Sequence, residues 1–155
     1  MPIFNFFHWS QEAGETLERT GPLLAVEIRL PSALENFYAE RSLNIPPPTS
    51  GYALIDTGAF ATAVDEKVFT DLGIPPIDTI ETKTPHGPGK SNVYPAVISF
   101  PTLELNSLPL ERVVGCNLRW ETADHKEILM LLRRDLLKHF LVIYNGKRSD
   151  INIAY

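Results

Sequence analysis

Tyr52-Ala53-Leu54-Ile55-Asp56-Thr57-Gly58-Ala59 is the stretch on which the reading of this chain turns. Its first four residues form an apolar run with the character of a buried strand. The run ends on a carboxylate, a hydroxyl and a glycine. Asp56 therefore leaves the strand at its tip, and Gly58 is expected to adopt a backbone conformation closed to other residues. A carboxylate held at the end of an apolar strand is poorly solvated, and such a group is either paired or functional. Asp, Thr and Gly are also common turn residues, so the tripeptide alone fits a plain strand exit equally well.

The rest of the chain sets bounds on that reading. Its 155 residues suit one domain with a single core. Apolar residues make up 44% and charged residues 21%, as in ordinary globular proteins. The 13 prolines favour strands and loops over long helices. A net charge of −5, with no run of Lys and Arg, argues against nucleic acid as the main partner. The single cysteine, Cys116, excludes an intrachain disulfide, and its apolar setting (VVGCNL) suits a small core residue rather than a reactive thiol. His8, His86, His125 and His139 are scattered without ligand spacing, so neither a metal nor a cofactor is expected. The opening MPIFNFFHWS is apolar but short and lacks a basic lead. It reads as neither a signal peptide nor a membrane span, which makes a cytoplasmic location the expectation.

Working outward from the central stretch, residues 1–21 form an N-terminal extension with an aromatic cluster, Phe4, Phe6, Phe7 and Trp9, and residues 22–155 form the domain. Residues 23–30 have strand composition between two prolines. Ser32-Ala33-Leu34-Glu35 has the form of a capping box for a short helix carrying Leu34, Phe37, Tyr38 and Arg41. Pro46-Pro47-Pro48 then extends into the central strand, so about 32–50 is an insertion. Residues 65–72 suit a helix with acids in its first turn and Gly73 as its C-cap. Residues 80–94 read as two strands around a tip at 84–90. Three β-rich segments follow at 93–100, 102–110 and 112–118, divided by proline and Asn-Ser turns, with Trp120 covering an edge beyond them. Residues 128–132 are apolar throughout, as in a strand buried on both faces. Asp135 is placed to cap a helix at 136–140. A closing hairpin follows, turning at Asn145-Gly146.

The block ALIDTGAFATAV, residues 53–64, resembles the active-site loop of the retropepsin-like aspartic proteases. That family shows hydrophobic residues, Asp-Thr/Ser-Gly-Ala, two variable positions, Thr/Ser, one more position and an aliphatic residue. Its second element, an aliphatic strand running into Gly-Arg-Asp/Asn and a short helix, is matched by Leu132-Arg133-Arg134-Asp135 except that Arg133 replaces the glycine. The resemblance implies an all-β fold: a closed or partly open β-barrel of the retropepsin type with short helices, one lobe per chain. It also implies roles. Asp56 would be the catalytic carboxylate. Thr57 would hydrogen-bond across a dimer axis, and Gly58 would let the backbone approach that axis. Ala59, Phe60, Ala61 and Ala63, with Leu132, would meet the peptide. The hairpin tip with His86 and Gly87 would be a flap folding over it. Thr62, Arg133, Arg134 and Asp135 would support the loop.

Peptide hydrolysis needs an activated water and a proton for the leaving amine, which two adjacent carboxylates sharing one proton supply. Only one Asp-Thr-Gly is present and no Asp-Ser-Gly. The second carboxylate must then come from another copy, so the expected partners are the chain itself, as a homodimer, and a peptide or protein substrate. An arginine at 133 needs a changed backbone or a route to solvent, and has the reach to bring a cation toward Asp56. Arg134, with no acid at Phe60 or Ala61, needs Asp135, Asp65 or another partner. Two alternatives stand beside the peptidase: a weak or inactive peptide-binding or dimerisation module of the same fold, and an unrelated barrel in which Asp56 is only a turn residue.

Overall fold

Residues 23–29 alternate between buried and half-buried positions, the pattern of a strand with one face in a core. The computed structural model, which describes residues 7–10, 16–84, 87–118 and 120–155, builds most of the chain from such strands. In order these are β1 (Phe7–Ser10), α1 (Thr16–Thr20), β2 (Leu23–Arg29), α2 (Ser32–Glu40), β3 (Thr49–Ile55), β4 (Ala63–Asp65), α3 (Glu66–Leu72), β5 (Asp78–Thr84), β6 (Gly87–Phe100), β7 (Leu105–Cys116), β8 (Trp120–Glu121), β9 (Glu127–Leu132), α4 (Arg134–Leu137), β10 (Leu141–Asn145) and β11 (Asp150–Ala154).

Strands β2, β3, β9, β4, β7 and β6 neighbour one another in that order, and β6 pairs back onto β2. The sheet is therefore a closed barrel of mixed strand directions carrying short helices. β5 extends it as a hairpin with β6, β8 adds to β9, and a separate three-stranded sheet runs β1-β11-β10. Val26, Ile28, Phe69, Ile98, Phe100 and Met130 fill the core at no more than 1% exposure. Burying each such side chain stabilises the fold by about 2 kcal/mol. No helix among the described residues is long and apolar enough to cross a membrane.

Several local expectations change. The box at Ser32 is not formed: α2 starts behind Pro31, without a side-chain cap, and buries none of its residues. The Asn106-Ser107 turn is absent, because β7 runs unbroken through it. Pro109 lies opposite Val97 of β6, and among the described residues no strand on the other edge of β7 needs an N–H from it, because β4 meets β7 only at residues 114–116. The β5–β6 pairing continues to Thr84 opposite Gly87, so Gly87, Pro88, Gly89 and Lys90 lie within β6 rather than at a tip. Residues 85 and 86 lie outside the described residues, and so do Phe4 and Phe6 of the N-terminal aromatic cluster, while Phe7 and Trp9 stand in β1 opposite Ile153 and Ile151. The closing hairpin pairs Asn145 with Asp150, which makes residues 146–149 its loop in place of a two-residue turn.

Candidate functional site

Parallel pairing brings the site together. β3 and β9 run side by side with Ile55 opposite Leu132, so the residues that follow, Asp56 and Arg133, leave the barrel at the same place. The Asp56 N–H donates to the Leu132 carbonyl at 2.9 Å. β4 lies antiparallel on the other side of β9, with Ala63 opposite Leu131. Residues 56–62 therefore arch over the end of β9 and straddle residues 133–135.

Hydrogen bonds tie the arch down from below. The buried Thr62 donates from Oγ1 to Asp135 Oδ1 at 2.6 Å and from its backbone N–H to Asp135 Oδ2 at 2.9 Å. Thr62 Oγ1 also accepts the Arg133 N–H at 3.1 Å. The Asp135 N–H donates to the Phe60 carbonyl at 3.0 Å. Asp135 is thus a strut between two loops. It lies inside the first turn of α4, taking the Leu136 N–H, while Arg133 holds the cap position without its side chain capping the helix. The helix expected at 136–140 accordingly begins at Arg134 and ends at Leu137.

Asp56 sits on the outer side of the arch. Its Oδ1 accepts the Gly58 N–H at 2.9 Å, and its Oδ2 accepts Arg133 Nε at 2.9 Å. The two side chains are 28% and 22% exposed. Arg133 Nη1 also donates to the Ala61 carbonyl at 3.1 Å. Arg133 needs no special backbone, because φ −114° and ψ −177° are open to any residue. The glycine at 58 is explained differently from expectation. It is not among the residues with positive φ, but a Cβ there would come within 3.0 Å of Asp56 Oδ1. What a side chain here would crowd is the carboxylate, which would have to give by a few tenths of an ångström; no left-handed turn is involved.

The remaining residues divide by exposure. Thr57 and Gly58 are exposed, Ala59 and Ala61 are half-buried, and Phe60 is 71% exposed. Ala63 and Leu132, expected against substrate, are each 1% exposed and pack within β4 and β9 as part of the core. Gly87 is half-buried in β6, and His86 lies outside the described residues. Arg134 pairs with neither Asp135 nor Asp65; its Nε donates to the Ala59 carbonyl at 3.0 Å. Asp65 instead caps α3 through the Lys67 N–H and also takes the Leu118 N–H. Cys116 donates to the Val64 carbonyl, and burial pushes its thiol up to about 12, against a weaker opposing pull from the Arg133 cation. Among the described residues, no group of three or more His, Cys, Asp or Glu is arranged to hold a metal ion. The Arg133–Asp56 contact was within reach of sequence reasoning, since both residues follow strands. The Thr62–Asp135 pairing carried no signal beyond the family motif.

No family model matches the chain, and no curated protein matches it. Among solved structures it is similar to the solution structure of the Simian Foamy Virus (mac) protease, at 20% identity, covering 76% of this chain and 92% of that one with a TM-score of 0.46.

Proposed function

We propose that this chain is an aspartic-type endopeptidase whose catalytic pair consists of Asp56 from two copies facing each other across a two-fold axis, with water as nucleophile. One carboxylate takes a proton from the water as its oxygen attacks the scissile carbonyl, and the other passes a proton to the departing amine. Thr57 is exposed beside Asp56 and would hydrogen-bond to the partner's loop. Ala59, Phe60 and Ala61 would contact an extended peptide, and the β5–β6 hairpin would close over it. The observation that carries this reading is the placement of Asp56: a half-buried carboxylate at the end of a core strand, oriented by the Gly58 N–H, on an arch fastened by the Thr62–Asp135 bonds. It is tested by incubating the purified chain with a peptide library and comparing the Asp56→Asn variant. Cleavage by the wild type that vanishes in the variant supports the peptidase, and cleavage that survives in it refutes the role of Asp56.

A second reading, a peptide-binding or dimerisation module with weak or no catalysis, is favoured by one contact. Arg133 Nε occupies Oδ2 of Asp56, an oxygen that would otherwise be open to water. Arg133→Gly separates the two. On the second reading the substitution raises cleavage by at least about tenfold in kcat, the scale of one charged hydrogen bond released from the base. On the first, the wild type already cuts and the gain stays below that.

A further inference from the structure

Among the described residues, Arg134 is a cation without a carboxylate partner. Its Nε–H is spent on the Ala59 carbonyl, and no other side-chain bond or ion pair involves it among the described residues. Of the five N–H groups on a guanidinium, the four on Nη1 and Nη2 are left unmatched, including the end-on pair that fits a carboxylate fork to fork. The acids that might have neutralised it are engaged elsewhere. Asp56 is paired with Arg133, Asp135 takes the Thr62 and Leu136 donors, and Asp65 caps α3. Because Ala59 is part of the arch, the anchor holds this charge three residues along the chain from Asp56, beside the exposed Phe60. A chain of net charge −5 therefore keeps an exposed guanidinium, without an acidic partner among the described residues, anchored to the same loop that carries its candidate catalytic carboxylate.

We propose that Arg134 is a specificity residue of that site: its guanidinium receives an acidic side chain of the bound peptide, close to the scissile bond, so the substrates are acidic peptides. This rests on the peptidase reading for the word substrate, but the binding step stands apart from it. A carboxylate on the peptide gains two parallel charge-assisted hydrogen bonds, whereas its amide counterpart offers one acceptor oxygen and no charge. Since Arg134 is exposed, the preference is about fivefold rather than orders of magnitude. It appears in KM, because the contact is made equally in the bound peptide and the transition state.

The test uses the full-length chain and fluorogenic peptides that differ only in Asp against Asn, or Glu against Gln, at successive positions on either side of the cut. Values of kcat/KM are compared, and binding of the same peptides to the Asp56→Asn protein is followed by fluorescence anisotropy. The expected result is an acid preference of about fivefold at one position, shrinking as salt is added. Arg134→Gln removes it, and Arg134→Lys keeps part of it. Equal use of acid and amide at every position, or a preference that persists in Arg134→Gln, overturns the proposal. Should Arg134→Gln fail to fold, Arg134→Lys and the salt titration of the wild type decide, and a salt-independent preference counts against the proposal. No cleavage alongside acid-preferring binding that Arg134→Lys weakens refutes the peptidase reading and supports the role of Arg134. Absence of both cleavage and acid-preferring binding overturns both.

Discussion

Asp56 and Asp135 stand on opposite sides of one arch, and the chain treats their carboxylates differently. Asp135 receives the Thr62 N–H and Oγ1–H and the Leu136 N–H, all neutral donors from the surrounding backbone and a buried hydroxyl. Asp56 receives one backbone N–H and one guanidinium N–H, and keeps 28% of its side chain exposed. A carboxylate offers roughly four acceptor positions, so Asp56 retains capacity for a further donor where solvent can reach it. One carboxylate is committed to holding the loop, and the other is held so that something else can meet it.

The contrast is broken most severely at Asp56. Asp56→Asn is expected to lower kcat by about a thousandfold or more, as loss of a reacting group does, while far-UV circular dichroism stays that of the wild type. An equal loss of fold would mean that Asp56 is a strut too. Asp135→Ala should do the reverse. It leaves the Thr62 hydroxyl and N–H without their acceptor in a buried place, at a cost of about 3 kcal/mol, read as a lower urea midpoint. A fall of less than about 1 kcal/mol would show that the arch does not depend on this tie.

The smallest effect concerns a third acidic group close to the same elements. Burial raises the Cys116 thiol to about 12 in the folded chain, from an ordinary value of 9.0. The native protein should therefore react negligibly with a thiol reagent at pH 8, and the urea-unfolded protein readily. A folded-state value above the unfolded one has a definite sign for stability: the contribution is complete below about pH 9 and is lost as pH rises toward 12. Fast labelling of the native chain at pH 8 would show that burial does not hold the Cys116 thiol in its protonated form.

Some of this organisation was legible in the residues. α3 is the simplest case, since its acidic start and its left-handed Gly73 are local and lie where the pattern puts them, although Asp65, read as the first helical residue, is the cap before it. Asp135 looked like the same device and is not, because its partner Thr62 is 73 residues away and no local rule points to it. Gly58 shows the same limit: the pattern points to a turn glycine, but its φ is not positive and what a Cβ would crowd is the neighbouring carboxylate oxygen. Asn106-Ser107 suggests a break in a strand that runs on, whereas the break at Pro101 lies where the pattern puts it, between β6 and β7. In the site, the central block gave the place and order of the residues. How far each residue is exposed is not written in the block: the resemblance puts Ala63 and Leu132 against the peptide, and both are buried in the core.

The claim on which the rest depends is that one chain holds half of a catalytic pair, and subunit mixing measures it directly. Wild-type and Asp56→Asn chains are combined in varying proportion at constant total concentration, allowed to exchange, and assayed for peptide cleavage. If the pair is shared across a two-fold axis, only wild-type pairs cut, activity falls as the square of the wild-type fraction, and an equal mixture keeps about one quarter of the rate. A linear fall, with about one half remaining, would mean that each chain works alone, and the shared site would have to be abandoned.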